Sequence, residues 1–147
     1  MINTSGKTTV ADSDAIIGLA FDEDALHKRC LETYSFLGEN GFEVFVPYPI
    51  ILEAATALAK DKTIRRPDLA KQLLKDYFEV GAKLRENDIY KKLVGRIYNP
   101  KTSKKNSPFD FYVLACAKVN NIKTVFSFDS FYKKNGLILA EDLLAKA

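Results

Sequence analysis

An α/β class, with a parallel sheet covered by helices on both faces, is predicted by three features of this chain. Short β-prone segments alternate with longer segments of helical period. Right-handed crossovers make a parallel arrangement of those strands reachable. The segment from Phe111 to Val119 is apolar on most sides, so a helix there needs cover on more than one face.

The elements follow in order. Thr8 to Ala11 is β-prone and ends at Asp12; Ala15, Ile16, Leu19 and Ala20 then fit a short helix that Asp14 or Ser13 can cap. From Asp24 to Asn40 the set Leu26, Cys30, Tyr34 and Leu37 returns on one helical face, and Asn40-Gly41 stops it. Glu43 to Val46 reads as a strand, broken by Pro47-Tyr48-Pro49, with Pro49 suited to the first turn of a helix reaching about Lys60. Leu69, Leu73, Tyr77, Val80 and Leu84 mark a long amphipathic helix. Ile89, Leu93 and Ile97 mark another that ends near Asn99-Pro100, and these two helices are expected to stand partly outside the sheet as an arm or wall. Ser107, Pro108 and Asp110 form a helix start with cap, first-turn proline and capping-box acid. Lys123 to Phe126 and Leu137 to Ala140 read as the last strands, with Asp129 to Asn135 between them and Leu143 and Leu144 anchoring a short tail.

The 147 residues suffice for one substantial core, so a single domain spanning residues 1–147 is expected. No secretory pattern or apolar run of membrane-spanning length is present, which makes the cytoplasm the expected location. Cys30 and Cys116 lie far apart inside helical patterns and are expected to be buried thiols. With one histidine and two distant cysteines, a thiolate or histidine metal site is poorly supplied, and any metal must come to oxygen. The formal charge of +3 is uneven: Lys60 to Lys105 holds 14 Lys and Arg against 6 Asp and Glu. The remainder is acidic, so one part is suited to phosphate and the other to cations.

In an open parallel sheet, ligands collect beyond the carboxyl ends of the strands. Asp12 ends the first strand, Glu53 lies in the opening turns of the next long helix, Asp110 in the first turn of the core helix, and Asp129 after Val125-Phe126. Glu53 has no local base within an apolar-rich setting, and a buried, unpaired carboxylate is costly. Each acid alone has a bland alternative: a helix-end glutamate, a capping box, or a turn acid. Their joint placement favours hard-oxygen ligation of Mg²⁺ or Mn²⁺, which activates water toward phosphodiesters. His27 has no evident nucleophilic partner and reads as a surface or capping residue; neither a Walker phosphate loop nor a dinucleotide fingerprint is present.

The segments Val10-Ala-Asp12-Ser13-Asp14, Pro49-Ile-Ile-Leu-Glu53, Ser107-Pro-Phe-Asp110 followed by Val113-Leu-Ala-Cys-Ala117, and Val125-Phe-Ser-Phe-Asp129, in this order, resemble the PIN-domain family, most closely its VapC-type toxin ribonucleases. The resemblance implies a three-layer α/β/α fold with a five-stranded parallel sheet. It implies Asp12, Glu53, Asp110 and Asp129 as an acidic metal site, with Ser127 orienting a ligand or water. It further implies an Mg²⁺- or Mn²⁺-dependent endoribonuclease acting on RNA, and a homodimer restrained by a VapB-like antitoxin. The opening Val-Ala-Asp-Ser-Asp-Ala and the basic region before Asp110 depart from the common toxin pattern, which leaves an RNA-processing role open.

Two other functions are compatible with the residues. Asp12-Ser13-Asp14 after a strand is also the arrangement of a haloacid-dehalogenase-like phosphatase, with Asp12 as nucleophile, although the short chain and Glu53 argue against it. A non-catalytic RNA- or protein-binding domain would use Tyr90, Tyr98 and the neighbouring lysines for contact and leave the acids structural.

Overall fold

A computed structural model describes residues 7–80, 88–101 and 105–147. Strands β1 (Thr8–Ala11), β2 (Glu43–Phe45), β3 (Thr124–Phe126) and β4 (Ile138–Leu139) form one sheet in the order β2-β1-β3-β4. All three pairings are parallel, with Val10 opposite Phe45 and Val125, and Val125 opposite Leu139. Along the chain run α1 (Ser13–Ala20), α2 (His27–Glu39), α3 (Tyr48–Lys60), α4 (Pro67–Val80), α5 (Asp88–Ile97), α6 (Pro108–Val119), α7 (Ser130–Lys134) and α8 (Ala140–Ala145).

Successive strand residues point to opposite faces, and the core divides accordingly. Val10, Phe45, Val125 and Leu139 pack with Tyr90, Tyr112, Val113 and Cys116 on the side of α5 and α6. Ala11, Phe126 and Ala140 pack with Ala15, Ile16, Cys30 and Leu37 on the side of α1, α2 and α8. This is the expected α/β/α layering. The all-round apolar helix is α6, whose residues from Asp110 to Ala117 are all buried.

The expected fifth strand is absent among the described residues; the sheet has four strands. The four are those with their own β-prone pattern, whereas the fifth was implied by family resemblance alone. After β4 the chain turns at once into α8, and between β2 and β3 the described segments are helices α3 to α6.

Other local expectations shift for identifiable reasons. The N-cap of α1 is Asp12, whose carboxylate accepts from Ser13 N at 2.7 Å, rather than Asp14 or Ser13. On α2, Cys30 and Leu37 are buried as expected, but Tyr34 is 50% exposed and Thr33 takes the inner position. On α5, Ile89 is 57% exposed while Tyr90 is buried, receiving a hydrogen bond from Asn120 Nδ2 at 2.7 Å. The stretch expected only to separate the last strands contains α7. Leu84, expected on the long helix, lies outside the described residues, and α4 packs on α3 through Leu58 and Ala70. No described helix is long and apolar enough to cross a membrane.

Cys30 and Cys116 are free and buried. Cys30 Sγ lies where a Cβ on Gly18 would be placed, so glycine permits the close approach of α1 and α2. The Gly18 carbonyl meanwhile accepts from His27 Nδ1 at 2.6 Å, making His27 a tie to α1. Gly18→Ala is expected to destabilise the chain by about 1–3 kcal/mol, because overpacking outweighs the gain in helix propensity of about 1 kcal/mol. In a Cys30→Ala background the same change is expected to be neutral or stabilising. Urea unfolding of the four members of this cycle measures the sign reversal.

Candidate active site

In the order β2-β1-β3-β4, the chain leaves β1 toward β2 and later returns to the opposite side of β1 to form β3. The carboxyl ends of β1 and β3 therefore flank the crevice where an open α/β sheet collects ligands. Asp12 follows β1 directly, and Ser127 and Asp129 follow β3. The crossover elements bring Glu53 on α3 and Asp110 in the first turn of α6 to the same edge.

Hydrogen bonds link these residues into one cluster. Tyr132 Oη, from α7, donates to Asp12 Oδ2 at 2.6 Å and lies 3.5 Å from Asp110 Oδ1. Asn106 Nδ2 donates to Asp129 Oδ2 at 3.1 Å and lies 3.5 Å from Asp110 Oδ2. Ser127 Oγ donates to Asp14 Oδ2 at 3.0 Å and accepts from Asp129 N at 3.2 Å. Asp14 Oδ2 also accepts from Phe128 N at 2.8 Å, tying the start of α1 to the segment after β3. The Ser13 side chain hydrogen-bonds Glu53, whose Oε1 is buried without a partner.

Several of these acids also serve local structure. Asp110 completes a capping box with Ser107, accepting Ser107 N at 2.7 Å. Asp129 caps α7 by accepting Phe131 N at 2.9 Å. A capping carboxylate retains a second oxygen and further lone pairs, so a cap and a polar site coexist on one side chain.

Among the described residues, no Lys or Arg ion pair includes Asp12, Asp14, Glu53, Asp110 or Asp129. Burial, then the charges of Asp14 and Asp110, pushes the Asp12 carboxyl well above the usual carboxylate range, against the opposing hydrogen bonds from Tyr132 and Ser13. Burial also raises Asp14, and it raises Glu53 with Asp110 and Asp14 adding to the effect. Burial and the Asp12 and Asp110 charges push the Tyr132 hydroxyl well up, so it stays a proton donor. Among the described residues no three His, Cys, Asp or Glu side chains are grouped as a ready-made metal site. The donor chemistry nevertheless suits a hard cation: carboxylate oxygens, one of them orphaned, with excess negative charge.

Every acid named from the sequence reaches this edge. Sequence reasoning missed Tyr132 and Asn106, which hold pairs of acids together, and gave Asp14 only an assisting or capping role. A signal existed for Tyr132: it lies three residues after Asp129, one helical turn from that cap. Asn106 carried none, because a polar residue in a polar basic stretch predicts only a loop.

A family model for the PIN domain matches residues 9–136. The chain belongs to the PIN-domain family. Among solved structures, this PIN domain is similar to Mycobacterium tuberculosis VapC20, a Sarcin-Ricin loop cleaving toxin, at 13% identity and a TM-score of 0.72, over 88% of this chain and 96% of that one. At such identity the likeness concerns the fold. A search of curated proteins gives no match.

The raised Asp12 pKa fixes a pH dependence of stability. The native chain binds this proton more tightly than the unfolded chain, so the contribution is complete below the unfolded value of about 3.9 and is lost as pH rises through the native value. Asparagine caps helices as well as aspartate and carries no charge. Asp12→Asn is therefore expected to melt above the parent chain at neutral pH in chelator, with the gap closing as pH falls toward about 4. Thermal unfolding across pH gives the comparison; a gap that widens on acidification contradicts the electrostatic account.

Proposed function

We propose that this PIN domain is an Mg²⁺- or Mn²⁺-dependent endoribonuclease that hydrolyses RNA phosphodiester bonds. The observation that supports this reading is the approach of Asp12, Glu53, Asp110 and Asp129, from four separate chain segments, to the β1–β3 edge, with no ion pair to Lys or Arg among the described residues. These four are the residues proposed to hold the ion. A bound divalent cation supplies a Lewis acid that offsets phosphate charge and favours ionisation of water.

The chain's own groups have separable roles in this proposal. Asp12, buried at the end of β1, is the central ligand, and Tyr132 fixes its rotamer through the 2.6 Å hydrogen bond. Asn106 sets the spacing of Asp110 and Asp129, and Ser127 connects Asp129 to Asp14 and orients a water or ligand. Glu53 brings an oxygen that the protein leaves unsatisfied. The exposed Lys91, Lys92, Arg96, Lys101 and Lys105 offer positive charge for an RNA backbone, while Lys104 lies outside the described residues. A VapB-like antitoxin peptide and a homodimer, implied by the family resemblance of the sequence motifs, are parts of the same proposal.

Purified chain incubated with RNA is expected to cleave it with Mg²⁺ or Mn²⁺ and to stop on chelation. Asp12→Asn and Glu53→Gln are each expected to lower the rate at least about 100-fold, since even groups behind metal ligands matter by about 10- to 100-fold. Added metal is expected to raise the melting temperature of the parent chain more than that of Asp12→Asn. RNA cleavage indifferent to chelator and to both substitutions, with contaminating nucleases excluded, would falsify the assignment. RNA binding without any cleavage would instead favour the non-catalytic binding domain.

A further inference from the structure

Phe128 lies between Ser127 and Asp129, in the turn that carries the chain from β3 into α7. The two sides of this turn are engaged differently. On the acid side, Phe128 N donates to Asp14 Oδ2 at 2.8 Å, Asp129 N donates to Ser127 Oγ at 3.2 Å, and Asp129 Oδ2 accepts from Asn106. On the other side, the Phe128 ring packs with the core cluster of α1, α2 and α8, edge to face with Phe126 at 6.4 Å. The guanidinium of Arg29, on α2, lies over that ring, 4.8 Å from its centre. Arg29 is itself held from α8: its Nε and Nη2 donate to the two carboxylate oxygens of Glu141 at 2.6 and 2.5 Å.

We propose that Arg29 is a positioning residue for Asp129: fixed by Glu141, it holds the Phe128 ring and with it the turn on which Asp129 enters the acid cluster. Its effect on cleavage rests on the nuclease reading above, whereas its effect on the turn does not. A single exposed ion pair contributes little, but a two-point fork onto a carboxylate fixes the plane of the guanidinium as well as its place. That planar, weakly hydrated cation then stacks on an aromatic face. The arrangement supplies what the acid side lacks. Phe128 N and Ser127 Oγ both depend on Asp14 Oδ2, and Asp129 N depends on Ser127 Oγ, so one carboxylate oxygen anchors the turn from within the cluster. Arg29 and Glu141 add an anchor on the opposite side, made of groups separate from the acids. Any rotation of the turn that moved the ring would carry Asp129 with it, and a displacement of about 1 Å at a reacting group can cost about 100-fold in rate.

Arg29→Met keeps an apolar stem beside Phe128 and removes the guanidinium; Arg29 is exposed, so the core stays intact. In the full chain with chelator, hydrogen exchange of the Phe128 and Asp129 amides is expected to quicken about tenfold in Arg29→Met and about threefold in Glu141→Gln, while Val125 in β3 keeps its rate. A general loss of stability would quicken all three amides alike. RNA cleavage with Mn²⁺ is expected to fall about tenfold in kcat with KM unchanged, because Arg29 holds the turn and not the RNA. In a Phe128→Leu background, Arg29→Met is expected to change neither exchange nor kcat further. Exchange at Phe128 and Asp129 unmoved by Arg29→Met, an equal quickening of Val125, or an undiminished effect of Arg29→Met in the Phe128→Leu chain overturns the proposal. A rise in KM with kcat unchanged overturns it in favour of an RNA contact. Those negative results, in a chain whose metal-dependent cleavage is lost with Asp12→Asn, remove Arg29 and leave the nuclease. Quickened exchange that depends on Phe128, in a chain that cleaves no RNA with either metal, retains Arg29 as the holder of the turn and overturns the nuclease.

Discussion

Buried carboxylates that face one another, with no ion pair to Lys or Arg among the described residues, constrain the rest of this molecule. Asp12 is 4% exposed and Asp110 8% exposed, and Tyr132 Oη stands between them. Two carboxylates in such a setting destabilise the native state unless protons, hydrogen bonds or a cation intervene. The chain supplies the hydrogen bonds: Tyr132 to Asp12, Asn106 to Asp129, and Ser127 and Phe128 N to Asp14. Each donor comes from an element other than the one bearing its acid. The cluster consequently ties together the chain after β1, the segment before α6, and α7.

The core makes those ties possible. Tyr132 is fully buried, with its ring 5.1 Å from Phe131, which in turn packs against Phe111 of α6. The aromatic body is therefore held by packing while the hydroxyl reaches the acid edge, a division of labour suited to tyrosine. β1 occupies an inner position of the sheet, paired on both sides, so Asp12 stands on backbone fixed by two ladders. Asp12 N itself donates to Phe126 O at 3.1 Å, extending the β1–β3 contact by one residue into the site. Position and rigidity thus have one origin in the parallel pairing.

Much of this was legible in the amino-acid order. All four described strands have local β-prone patterns, and the start of α6 is written in Ser107-Pro108-Phe109-Asp110, whose capping box is present. The four acids could be assigned to one edge because each follows a strand or opens a helix, and parallel topology sends such positions to the same side. What failed depended on tertiary choice. Tyr90 and Ile89 are adjacent, and the inward turn of the tyrosine goes with its hydrogen bond from Asn120 and its packing against α6, neither of which the sequence pattern displays. Helix phase alone does not distinguish Thr33 from Tyr34 as the inner residue, because each lies three or four positions from both Cys30 and Leu37. The fifth strand came from likeness to a family and had no segment of its own to support it. Asn106 became visible only when a long crossover placed it against Asp129, 23 residues away.

Charges of both signs come close together around Asn106. Its amide contacts Asp110 and Asp129, and Lys105 and Lys134 line a recess that Asn106 and Asp129 also border. An acidic cluster alone repels a polyanion, whereas a uniformly basic surface would compete with a divalent ion. Adjacent patches of opposite sign avoid both difficulties, because exposed charges interact over a Debye length of about 8 Å at physiological ionic strength while the buried acids are screened far less. Added salt therefore screens the exposed lysines more than the buried carboxylates.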